Sequence, residues 1–163
     1  MKMALVARAG VCTIALATAL VPTHASAAQP PIYLVVDTTP TRAPVPDKAG
    51  NRRVVIVRVF DSGDAGACAR AQMRTPNRAG SDTVSHCVRA LPDALAPLLH
   101  DAPIAKAYVL KFVTPGAAGA DYKAMFDMAM TEPAQVCHNL VAYQQRFGQL
   151  NAGTTVSCQV PGH

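Results

Sequence analysis

The sequence has no tryptophan, a single glutamate (Glu132) and only 15% charged residues over its 163 positions. Each shortage excludes a class of protein. Without Trp the commonest sugar-stacking platform is missing, and one Glu beside nine Asp offers little to a paired-carboxylate glycosidase site. Glu132 itself sits at a helix start, where negative charge suits the dipole with no catalytic role. Five cysteines are too few for a knottin-type scaffold. A dispersed formal charge of +5, without interleaved aromatics, does not mark a nucleic-acid binder. Half of the residues are hydrophobic, thirty of them alanine, which is too apolar for a disordered chain. There is no G-x-S-x-G, no H-E-x-x-H, no G-x-x-x-x-G-K-[ST], no dinucleotide fingerprint and no internal repeat in the residues.

What is present begins with an export pattern. Met1 to Gly10 carries Lys2 and Arg8 and no acid; Val11 to Val21 is an uncharged apolar run; Pro22 and the small residues Ala25, Ser26, Ala27 and Ala28 follow. That is the order of a secretory signal peptide, and its apolar run is shorter than the roughly 20 residues a bilayer span requires. The expected cut follows Ala27. Cys12 lies inside the apolar run rather than after it, so no lipid anchor is expected. Removing residues 1–27 would leave 136, with thirteen cations against ten acids and a net charge of +3. No later apolar run approaches membrane-spanning length. The expected organisation is a cleaved signal over 1–27, an N-terminal strand and Pro-rich loop over 28–50, and a disulfide-stapled α+β domain over 51–163. The expected location is the periplasm or the medium.

Cys12 would leave with the signal, and four cysteines remain: Cys68, Cys87, Cys137 and Cys158. An even count in an exported chain reads as disulfides. Pairing Cys68 with Cys87 and Cys137 with Cys158 closes two local loops of similar length, each worth on the order of 3 kcal/mol. His86 and His138 abut cysteines, which raises a metal site as the competitor. Yet no C-x-x-C is present, and neighbours on a strand point to opposite faces.

Hydrophobic patterning supplies the elements. Ile32 to Asp37 and Arg53 to Phe60 read as strands, the second β-branched enough to be central or nearly so. Between them, Pro40, Pro44 and Pro46 mark a stiff surface connection. Ala65 to Arg74 reads as a helix stopped by Pro76; Thr83 to Arg89 as a short strand; Pro92 to His100 as a short helix with Leu95, Leu98 and Leu99 on one face. Lys106 to Val113 and Tyr122 to Met130 form a hairpin with a long loop, although Ala and Met leave a helix open over 121–130. Tyr122, Ala124, Phe126, Met128 and Met130 are expected on one face. Thr131 is expected to cap a helix carrying Val136, Leu140, Tyr143 and Phe147 on its inner stripe, ending at Gly148. Thr154 to Val160 is a last strand, with Val156, Cys158 and Val160 inward. The fold class that follows is α+β: a mainly antiparallel sheet with two to three helices.

The chemistry is sparse. Ser62, in Asp61-Ser62-Gly63-Asp64, lacks the first glycine of a nucleophile elbow and reads as a turn residue. Met125, Met128 and Met130 with His138 raise thioether copper binding, but Tyr122 and Phe126 on the same expected face read as core. No catalytic residue, metal ligand or cofactor is assigned. The leading expectation is a non-catalytic exported protein that binds another protein, as an envelope accessory, inhibitor or immunity-type factor. Arg70 and Arg74, sharing a helix face, and Pro44 and Pro46 are the candidate contacts, with the 114–121 loop. A small exported hydrolase using His86, His100 or His138 with an Asp, and a Met/His metal handler, are the alternatives.

Overall fold

A computed structural model describes residues 29–42, 52–77, 79–128 and 130–162. Six strands form one antiparallel sheet: β1 (Ile32–Pro40), β2 (Val54–Phe60), β3 (Ser81–Val88), β4 (Ala107–Val113), β5 (Asp121–Phe126) and β6 (Thr155–Gln159), in the spatial order β3-β1-β2-β5-β4-β6. Among the described residues two α-helices complete it, α1 (Ala65–Met73) and α2 (Pro133–Phe147). Helices gathered on one face of an antiparallel sheet define an α+β fold.

Register explains which residues are inside. Directly opposed residues share a face, so the pairs Leu34–Arg58, Leu34–Cys87 and Leu110–Cys158 assign faces throughout. One face carries Ile32, Leu34 and Val36 under α1, and Tyr108, Leu110 and Met125 under α2. The other carries Tyr33, Val55, Val57, Val109 and Ala124, covered by Leu91, Leu95, Leu98 and Ile104 of the connection from β3 to β4. Strands buried on both faces read as continuous apolar runs, which is why β2 (VVIVRVF) lacks alternation. Edge strand β3 is polar on both faces (SDTVSHCV), as an edge exposed to water requires.

The two expected disulfides are present. Cys68 on α1 joins Cys87 on β3 with Cα atoms 6.2 Å apart, and Cys137 on α2 joins Cys158 on β6 at 5.4 Å. Each ties a helix to the strand that follows it.

The absence of a repeat in the residues conceals one in the topology. The chain runs strand–strand–helix–strand twice, over 32–88 and 107–159, and each half is stapled by one disulfide. Leu34 faces Arg58 and Cys87; Leu110 faces Lys123 and Cys158, so these residues occupy corresponding positions. Counting along the registers, Val57 corresponds to Tyr122, and these two pair across the β2–β5 junction. A pseudo-two-fold axis therefore passes through that pair, normal to the sheet, which places both helices on one side.

Several local expectations differ. The segment expected as a helix over 92–100 is a turn followed by a 3₁₀ helix, Ala96–His100. Three residues per turn keep Leu95 and Leu98 together in the core and rotate Leu99 outward. β5 ends at Phe126, because Asp127 takes a left-handed φ of 57°. Alternation stops there: Met128 packs with the α2 cluster on the opposite face from Tyr122, and Met130 is exposed. Glu132, not Thr131, is the N-cap of α2, since Pro133 begins the helix and Val136 N–H donates to the Glu132 carbonyl at 3.1 Å. Tyr143 and Phe147 are 59% and 62% exposed rather than core. The α2 residues in the core cluster are Val136, Cys137, Leu140 and Val141, so its core stripe ends before Tyr143 and Phe147. Val160 lies beyond the end of β6 and is exposed.

Candidate functional site

An open cleft of about 720 Å³ lies on the sheet face opposite the helices. Its floor is Val35, Asp37 and Thr39 of β1, Val55 of β2 and Asp82, Val84 and His86 of β3. Arg53, just before β2, and Phe126, the last residue of β5, close one end. The opposite wall belongs to the β3–β4 connection, chiefly Asp93, Leu95, Pro97 and Ile104. The positions follow from the pleat: residues two apart on β1 and on edge strand β3 point to one face. Asp82, Val84 and His86 are left exposed because the connection passes over the sheet centre and not over this corner.

Arg53 organises the cleft. Its Nε and Nη2 donate to Asp37 Oδ1 at 3.2 Å and Oδ2 at 2.7 Å, and its guanidinium lies 4.9 Å from the centre of the Phe126 ring. Its backbone carbonyl accepts from Phe126 N–H at 3.0 Å. The bond to Asp37 raises the Arg53 pKa above its ordinary value, so the guanidinium stays charged. Asp82, Asp93 and His86 make no hydrogen bond or ion pair with another described residue. Among the described residues the cleft lining carries three carboxylates and one guanidinium, in a chain whose formal charge is +5.

Comparison of the two halves sharpens this. Along the matched registers, Asp37 corresponds to Val113, Val84 to Thr155 and His86 to Ser157. The same framework is built in the second half without the carboxylate or the imidazole, and its own exposed valine, Val113, stands at the position of Asp37.

The other candidate residues are scattered. Arg70 is exposed on the last turn of α1, Arg74 is its C-cap, and neither forms an ion pair among the described residues. Both lie on the helix side of the sheet, away from the cleft. Pro44 and Pro46 fall outside the described residues, as do the signal segment 1–28 and Arg78. His100 ends the 3₁₀ helix and His138 is exposed on α2; neither meets a carboxylate or hydroxyl among the described residues. His86, the remaining candidate base, shares the cleft with Asp37 and Asp82 but contacts neither within hydrogen-bond range. All four cysteines beside or near His86 and His138 are committed to disulfides, and His86 and Cys87 point to opposite faces. No group of three or more His, Cys, Asp or Glu among the described residues is placed to hold a metal ion. Among the described residues no helix is long and apolar enough to cross a membrane.

Asp37, Arg53, Asp82, Asp93 and Phe126 are not singled out by the sequence as a site. They come from three strands, the residue before β2 and a connection, and only the folded sheet brings them together. No protein-family model, curated protein or solved structure matches this chain.

Proposed function

We propose that this chain is an exported binding protein, cleaved near Ala27 and acting in the periplasm or outside the cell, whose cleft takes a segment of another protein. The observation that carries this reading is the difference between the two halves. Asp37, Val84 and His86 stand where the second half builds the same sheet with Val113, Thr155 and Ser157. Val84 is 53% exposed between Asp82 and His86, neither of which has a hydrogen-bond or ion-pair partner among the described residues. Two intramolecular disulfides fit an oxidising compartment. The cleft combines apolar walls with a few fixed polar groups, the usual make-up of a recognition site. An envelope accessory, an inhibitor and an immunity-type factor all act in this way.

Photo-crosslinking tests the reading. A photoreactive residue at Val84 of the mature protein, incubated with envelope extract of the source cells, should give one defined adduct. The same residue at Ala69, exposed on α1, should not. Equal labelling from both positions contradicts the assignment of the cleft.

A further inference from the structure

We infer that the cleft recognises an extended peptide segment presenting a lysine or arginine side chain between apolar neighbours. This rests on the reading of the cleft as a protein-binding site and specifies its ligand. Two features select the ligand. First, the lining is largely apolar: half-buried Val35 and exposed Val84 face the cleft, and the core residues Val55, Leu95 and Ile104 border it. A methylene stem can lie on such a surface while its charged head reaches out of it. Second, the charge is one-sided. Among the described residues the only cation lining the cleft, Arg53, is taken up by both oxygens of Asp37 and by the Phe126 ring. Asp82, on the floor at β3, and Asp93, on the wall, have no such partner among the described residues. An incoming anion would meet two uncompensated carboxylates, whereas an incoming ammonium or guanidinium meets two acceptors. A purely apolar segment would cover both carboxylates without pairing them, which costs desolvation free energy with no return. The cationic stem with apolar flanks is thus the occupant that satisfies both features.

The test uses three capped pentapeptides, Ala-Val-Lys-Val-Ala and its variants with norleucine or Glu in place of Lys. Each is titrated into isotope-labelled mature protein, and binding is read from amide shifts. The Lys peptide should shift the amides of Val35, Val55, Val84 and Leu95 and bind about tenfold more tightly than the norleucine peptide. The double variant Asp82→Asn/Asp93→Asn, which removes charge at exposed positions without disturbing the core, should erase that difference. Norleucine or Glu peptides binding these amides as tightly as the Lys peptide would overturn the cationic assignment while leaving the cleft a binding site. Shifts confined to another surface, or none at millimolar peptide, would overturn the assignment too. The crosslink from Val84 then decides separately whether the binding reading survives.

Discussion

Val57 and Tyr122 pair across the β2–β5 junction, and each is the counterpart of the other in its half of the molecule. Both are buried, at 0% and 7% exposure. A residue can pair with its own counterpart only on a two-fold axis, so this contact locates the symmetry of the whole sheet. The consequences can be measured, because positions related by the axis should respond alike wherever the framework alone sets the energetics.

The disulfides are the simplest case. Their sequence separations are 19 and 21 residues, so loop closure assigns them nearly equal effects. Cys68→Ala/Cys87→Ala and Cys137→Ala/Cys158→Ala should each cost about 3 kcal/mol. For a domain of this size that is roughly a 10 °C fall in Tm. Calorimetry of the two double variants checks it; a cost near zero for either would show that its helix is held by packing alone.

Leu34 and Leu110 are the core test. They occupy matching positions beneath α1 and α2, at 2% and 0% exposure. Truncating either to Ala removes buried methyl groups and leaves a cavity, costing about 2–5 kcal/mol. Denaturant melts should place the two variants within about 1 kcal/mol of each other, given the spread of such series. A loss below that scale at one site alone would mean that half is loosely packed.

Asp121 supplies a pH dependence. Its Oδ1 accepts from Val59 N–H at 2.9 Å, continuing the ladder past Val57, the last β2 residue paired with β5. Burial pushes its carboxyl above the ordinary range, against the opposing pull of that bond and of Arg58 at 3.9 Å. A carboxyl whose folded pKa is raised costs stability while ionised, and the cost is relieved as pH falls through that raised value. Asp121→Asn keeps the acceptor for Val59 and loses the charge. It should match or exceed the parent at neutral pH, with the gap closing as the parent protonates. Asp121→Ala should lose about 1–2 kcal/mol at any pH, because Val59 N–H is left without its partner. Urea melts at neutral and acid pH separate the two; an Asn variant as weak as the Ala variant would refute the account.

The cleft should behave oppositely to the core. Asp37→Val/Val84→Thr/His86→Ser gives the first half the residues of the second. The Asp37–Arg53 pair it removes is partly exposed, at 33% and 46%, and such pairs contribute about 0.2–1 kcal/mol. The triple variant should therefore melt within about 1 kcal/mol of the parent, yet lose the crosslink from a probe placed at Val35. A large loss of stability would mean these residues serve the fold rather than a partner.

Legibility in the sequence follows from how local each feature is. The strands, α1, α2 and both disulfides rest on patterns within about twenty residues, and Cys68, Cys87, Cys137 and Cys158 needed only an even count and loop lengths. Expectations failed where one backbone angle changed the phase. Asp127 moved Met128 to the other face, and the 3₁₀ turn of Ala96–His100 released Leu99. The duplication was hidden because few counterparts retain the same type of side chain, among them Leu34 and Leu110, Arg58 and Lys123, and the cysteines. The cleft was invisible because Asp37, Asp82 and Asp93 converge only once β1 and β3 are registered and the connection folds back over them.

The most direct test of the central claim is the crosslink from Val84. The account predicts one defined protein adduct from this position, competed away by the Lys-containing pentapeptide and absent from the Ala69 control. A Val84 probe that captures nothing, or whose adduct is also formed from Ala69, would contradict it.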